Sequence, residues 1–278
     1  MARMLPLPLR YTVDPNDPRA PSQELWDRFS EAERDRIIQM LPTAKDLLPG
    51  ENTQHFTDKA QVFDTLRRHF DRINRRIFVA SELQVYYPAQ PTFTPDIFAV
   101  ADVEFRRRSR WVVSREGRGL DFVLEILSES DRQKDLRRNV EWFPALGIPE
   151  YFVYDRDERQ IHGFRLPRPG AAAYDRIAPR GSGYPSALLG LDLTLEGERL
   201  RFRYGLGPVP DADELITRLD ATVDDLLARR DEAAARAAAE EKLHLEAVAR
   251  AVTEEQLRVA AEARLAEALA ELERLRRG

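Results

Sequence analysis

Two acids sit in places where a carboxylate is costly to keep. Asp96 follows Pro95 directly, and Glu125 interrupts the apolar run Phe122-Val123-Leu124-Glu125-Ile126-Leu127. Read as a strand, that run puts Phe122, Leu124 and Ile126 on one face. Asp121, Val123, Glu125 and Leu127 fall on the other. Glu125 is then flanked by apolar neighbours on its own face. An ionised carboxylate there needs a cation, a set of hydrogen bonds or a raised pKa. Asp96 opens the preceding strand and can pair beside Glu125, where the two charges repel unless a divalent ion lies between them. The chain has no cysteine and only four histidines, so such an ion would be held by oxygen. That points to Mg²⁺ or Mn²⁺, with the Ile126 carbonyl as a further donor. Metal chemistry of this kind polarises a phosphoryl oxygen and makes water acidic enough to attack. The competing reading has Asp96 capping a turn and Glu125 paired with an arginine of the next helix.

Beyond Glu125, Asp131, Asp135 and Asn139 recur at i, i+4 and i+8 and form one polar stripe. Lys134 lies beside it. It can orient water or neutralise a phosphate, or it can simply face solvent. Upstream, Arg106, Arg107, Arg108 and Arg110 form a basic tip suited to phosphate contacts, or to a solvated hairpin end.

Around these residues the apolar spacing predicts the positioning elements. A Pro-rich start, Met1 to Pro21, precedes a helix from Ser22 to about Leu41, ended by Pro42 and Pro49-Gly50. A second helix over about Thr57 to Asn74 buries Val62, Leu66, Phe70 and Ile73. His55 and His69 read as capping or surface residues. Ile77 to Tyr87 alternates as one half-buried strand. Strands follow at Asp96 to Val103 and Leu120 to Leu127. A helix from Asp131 to Leu146 buries Leu136, Val140, Phe143 and Leu146, and stops at Gly147. Strands Tyr151 to Tyr154 and Gln160 to Leu166, then a hairpin turning at Glu196-Gly197, complete an α/β fold with a mixed sheet.

From Asp211 onward the composition changes to Ala, Glu, Arg and Leu without proline, with 17 acids against 11 bases. This reads as a long helix, coiled-coil-like in its leucine stripe and a possible route to a homo-oligomer. The divisions expected are residues 1–50, 51–207 and 208–278. The net charge of −5 is carried by the tail. No apolar run reaches the ~18 residues of a membrane span, so a cytoplasmic protein without a membrane partner is expected.

Pro95-Asp96, the Glu125 strand, Asp131, Asp135 and the segment Gly147-Ile148-Pro149-Glu150-Tyr151-Phe152-Val153-Tyr154-Asp155 together resemble the PD-(D/E)XK nuclease superfamily. The likeness is to its putative restriction endonuclease family of the Uma-two type, over roughly Asn52 to Leu166. It implies a restriction-endonuclease-like core and metal-dependent hydrolysis of DNA phosphodiesters. Asp96 and Glu125 would be the metal ligands, with Asp121 at a recurring acidic position. The lysine expected two residues after Glu125 is Leu127, and the alternative helix position is Asn139. Lys134 or Asn139 would then position the water. The rival class is a catalytically degenerate nuclease fold acting as a DNA-binding or oligomeric scaffold.

Overall fold

The computed structural model describes residues 11–44, 53–127 and 132–277. Expectations placed on Met1 to Arg10, on Pro49-Gly50 and on Ser128 to Asp131 fall outside these residues. The chain forms two compact units, Met1–Ala212 and Asp213–Gly278.

In the first unit a mixed six-stranded sheet carries the site. The strands are β1 (Ile77–Ser81), β3 (Ile97–Ala101), β5 (Phe122–Ile126), β6 (Glu150–Asp155), β7 (Gln160–Arg165) and β8 (Asp175–Arg176), in that spatial order. β5 and β6 are parallel and the other pairs antiparallel. The α/β architecture with a mixed sheet, flanking helices and a long C-terminal helix is as the sequence predicts.

Both faces of the sheet are covered, which is why its central strands read as continuous apolar runs. On one face lies the helix α3 (Thr53–Arg72). Its Val62, Leu66 and Phe70 pack with Ile97, Leu124 and Phe152. Ile73 falls just past the end of α3 and is exposed rather than inward. On the other face, Phe143 is buried with Val123, Leu127, Tyr151 and Val153, while Leu136, Val140 and Leu146 pack partly buried beside it.

A smaller four-stranded sheet holds β9 (Tyr184–Ser186), β10 (Leu191–Glu196), β11 (Arg199–Tyr204) and β12 (Gly207–Pro208). It adds Leu191, Leu193, Leu200 and Phe202 to the core under α3. β10 and β11 turn at Gly197, whose positive φ of 62° suits a residue without a side chain.

Several elements differ from the sequence reading. The helix expected from Ser22 to Leu41 is two helices, α1 (Gln23–Arg28) and α2 (Glu31–Met40), because Ser30 starts a new one. Its hydroxyl accepts from the Glu33 N–H and the Glu33 carboxylate accepts from the Ser30 N–H, a reciprocal cap. The strand expected from Ile77 to Tyr87 breaks at Glu82, whose φ is +50°. Beyond that bend β2 (Val85–Tyr86) leaves the main sheet and pairs in parallel with β4 (Trp111–Val112). Trp26, Phe29, Ile37 and Leu41 of the N-terminal helices pack on this pair through Tyr86 and Val112.

The basic tip is not a hairpin end. The chain after Arg110 forms β4 and a short helix, α4 (Val113–Glu116). Arg108 is drawn inward over the Phe78 and Trp111 rings, 4.5 and 5.0 Å from their centroids. Arg106 and Arg108 both pair with the Glu116 carboxylate at 2.9 and 3.0 Å. The segment after residue 131 is not a uniform α-helix either. A π-turn over Lys134–Arg138 leads into one α-turn, α5 (Asn139–Trp142), and then a 3-10 turn, Phe143–Leu146.

The second unit is a single helix of 66 residues, α6 (Ala212–Arg277). Ile216, Leu219, Val223, Leu226, Leu265, Leu269 and Leu272 are all exposed along it. Among the described residues no helix is long and apolar enough to cross a membrane.

Candidate metal and phosphodiester site

β3 and β5 run antiparallel with Ile97 opposite Leu124, so one step further out Asp96 comes opposite Glu125. At that end β5 also finishes as a parallel strand beside β6, the kind of edge where α/β sheets place ligands. The Asp96 N–H donates to Glu125 Oε2 at 3.1 Å. The Ile126 N–H donates to Asp96 Oδ2 at 2.7 Å. Each acid is therefore held by the other's strand. The reading of Asp96 as a local turn cap fails on this geometry, because its carboxylate is bound across strands.

The second oxygen of Asp96 faces α3. His55 Nε2 lies 3.1 Å from Oδ1 and Lys59 Nζ lies 3.7 Å from it. Lys59 also pairs with Glu82, and its side chain is almost fully buried. His55 and Lys59 continue the stripe of Val62, Leu66 and Phe70, one turn at a time toward the start of α3. The sequence reads His55 as a capping or surface residue, whereas its ring is largely covered and bonded to Asp96. The readable signal was a histidine and a lysine on the extension of an apolar stripe, where burial demands partners. His69 is likewise buried, against Phe70 and Tyr204.

Glu125 faces the other side of the sheet, toward the π-turn. It is buried. Burial first, then the nearby Asp135 and Asp96 carboxylates, push its pKa well above the usual carboxylate range, while Lys134 and the Asp96 N–H pull it back. Asp135 is buried as well. It accepts from Asn139 Nδ2 at 3.0 Å and lies 3.4 Å from Lys134 Nζ. The Tyr151 hydroxyl donates to the Asp135 carbonyl at 2.9 Å and secures the turn. A π-turn is wider than an α-turn, so residue i faces i+4 and i+5 together. Lys134, Arg138 and Asn139 thus line one cavity with Glu125 and Trp142.

Of the residues singled out by sequence, Asp96, Glu125, Ile126, Lys134 and Asn139 converge. Arg106, Arg107, Arg108 and Arg110 line no part of that cavity. Asp121 accepts from the Ala101 N–H at 2.8 Å and ties β3 to the chain entering β5. Asp131 lies outside the described residues, so the polar stripe is seen only as the Asp135–Asn139 pair. Asp135, Lys59 and His55 are contributors that the sequence reading does not assign to the site.

The donor set is all oxygen and small. Among the described residues no group of three or more His, Cys, Asp and Glu side chains is arranged to hold a metal ion. Two carboxylates do fit Mg²⁺, which keeps most of its waters and takes one or two protein acids. Burial, and then the nearby Asp135 and Asp96 carboxylates, disfavour the charged form of Glu125, and a divalent cation beside it relieves that cost.

A search of curated proteins finds no match. Among solved structures, a putative nuclease belonging to DUF820 from Anabaena variabilis is similar at 15% identity and a TM-score of 0.43. The likeness covers 54% of this chain and 82% of that one. The family model described as "Uma2: Putative restriction endonuclease" matches residues 37–196. That match takes in more than half of the chain, from α2 to the end of β10, including every residue converging on Glu125, and the chain belongs to the Uma2 family of putative restriction endonucleases.

Proposed function

We propose that the protein is a Mg²⁺- or Mn²⁺-dependent endonuclease that hydrolyses DNA phosphodiester bonds at the Asp96–Glu125 site. The observation that carries this reading is the pairing of two acids across β3 and β5, with a raised pKa on the buried one. Asp96 and Glu125 hold the cation, and the Ile126 carbonyl is a further candidate donor. When bound, such an ion supplies Lewis acidity to a phosphoryl oxygen and lowers the pKa of water.

The chain's own groups do the rest. His55 and Lys59 fix one Asp96 oxygen while the Ile126 N–H fixes the other. Lys134 places positive charge at the cavity beside Glu125, where charge develops on a phosphate. Asn139 orients water but supplies no charge. The exposed leucine stripe of α6 supports pairing of that helix with a second copy of itself.

Nicking of supercoiled plasmid in Mg²⁺ or Mn²⁺ tests the site, with Asp96→Ala and Glu125→Ala expected to abolish it. Activity surviving both substitutions excludes this site. Asn139→Lys then separates the catalytic from the scaffold reading. Cleavage gained only in that variant marks a degenerate nuclease, and unchanged cleavage leaves Lys134 as the working cation.

A further inference from the structure

The cavity beside Glu125 is larger and more apolar than a phosphate requires. It is an open recess of about 590 Å³, with Phe93 and Trp142 as aromatic lining and Lys134 and Arg138 as cations. The two rings meet edge to face, with centroids 5.2 Å apart at 70°. They are held in place from behind. Phe93 stacks on Tyr87 at 6.1 Å and tilts against Phe143 at 5.2 Å, and Trp142 contacts Phe143 at 5.7 Å. Gln84 adds a buried amide to the lining, its Nε2 donating to Thr92 Oγ1 at 2.5 Å and its Oε1 accepting from Thr94.

We propose that this cavity takes an unpaired nucleobase, its face on the Trp142 ring and its edge toward Phe93, of the strand whose phosphate lies at Glu125. The inference rests on the nuclease reading and names its substrate class, a single-stranded or locally unpaired nucleic acid. In a duplex the base faces are stacked and only the edges are accessible, so a base reaches an apolar recess of this volume only once it leaves the stack. An unpaired strand offers what the cavity lacks. Its bases present apolar π-faces to the rings, and its phosphates are complementary to Lys134 and Arg138. The fixed Gln84 amide gives one polar edge for the base to meet, as sites for extruded bases do. Lys134 serves both halves, facing the recess on one side and Asp135 on the other.

The test uses the full chain in Ca²⁺ and follows fluorescence anisotropy of labelled oligothymidine. Its comparators are a matched strand of abasic deoxyribose phosphates and a duplex. Oligothymidine is expected to bind about tenfold or more tighter than the abasic strand, since base–aromatic stacking contributes that much per base. Trp142→Ala should remove the difference and Trp142→Phe should keep most of it. Where Trp142→Ala does not fold, the abasic comparison on the native protein still decides. Equal binding of the thymidine and abasic strands overturns the inference, as does tighter binding of the duplex. The nuclease reading fails separately, by plasmid cleavage that is absent from the native chain and from Asn139→Lys, or that survives loss of Asp96 and Glu125.

Discussion

The backbone N–H of Asp96 donates to the side chain of Glu125, and the residue after Glu125 returns a backbone N–H to the side chain of Asp96. Glu125 is thus set within β5 and Asp96 one residue before β3, so each is placed by a paired strand, the more precise way to hold a site. Their spacing follows the register of β3 on β5, so any slip of one residue would turn Glu125 into the α3 core.

Glu125 makes stability depend on pH. Its folded pKa is raised above the unfolded one, so its favourable contribution is complete below the ordinary carboxylate pKa. It is lost as pH rises through the higher folded value. Glu125→Gln in metal-free buffer should therefore be more stable than the native chain at about pH 8 and equal to it at low pH. The gain is about 1.4 kcal/mol for each factor of ten by which folding weakens the acid. Urea unfolding across pH measures this, and a variant less stable at about pH 8 contradicts the penalty placed on ionised Glu125 by burial and by Asp135 and Asp96.

Lys59 is a buried cation between Glu82 and Asp96. Lys59→Met should lower stability by about 2–3 kcal/mol, below the range for fully buried pairs because the Glu82 side chain is partly exposed. Adding Glu82→Gln should restore part of that loss, since it removes one of the two acids left facing each other. Chemical denaturation of the two singles and the double gives the coupling. Strict additivity would mean that Lys59 and Glu82 do not act as a pair.

Arg108 and Arg107 should separate cleanly. Arg108→Ala removes a guanidinium wedged between aromatic rings and Glu116, and is expected to cost about 2–3 kcal/mol. Arg107 is exposed, so Arg107→Ala should leave the melting temperature within about a degree. Should the strand pass this loop, the salt slope of nucleic-acid binding falls by roughly one in that variant. Thermal melts with binding titrations at several salt concentrations distinguish the two effects.

The tail should govern association. Replacing Leu219, Leu226, Leu265 and Leu272 with Glu is expected to convert an oligomer to a monomer without changing the melting of the first unit. Sedimentation equilibrium of native and variant chains reads this directly. An unchanged mass would remove α6 as the pairing surface.

Much of the sheet was readable because burial on both faces leaves long apolar runs, against which Glu125 inside β5 and Asp96 just before β3 stand out. The cap of α2 is legible in the Ser30-x-x-Glu33 spacing, but an apolar stripe running through Leu25, Phe29, Ile37 and Leu41 masks it by reading as one helix. Lys59 and His55 were hidden by distance. They are 37 and 41 residues from Asp96 in the sequence, and α3 brings them to it only after packing on the sheet. The widened turn at Lys134 was invisible to a periodicity argument that assumes one helical pitch throughout. Arg108 misled because a run of arginines reads as surface, whereas two of the four are bound by a single glutamate.

Glu82 holds two demands that no residue type meets comfortably. Its φ of +50° is a conformation that favours glycine or asparagine, while its carboxylate is required by Lys59. Glycine there would ease the backbone and abandon the lysine, and aspartate would keep the charge but shorten its reach. Local preference and long-range pairing are in conflict at this corner. Frustration of this kind at a bend whose own N–H bonds the Pro95 and Asp96 carbonyls marks the corner as shaped by the site it supports rather than by the fold alone.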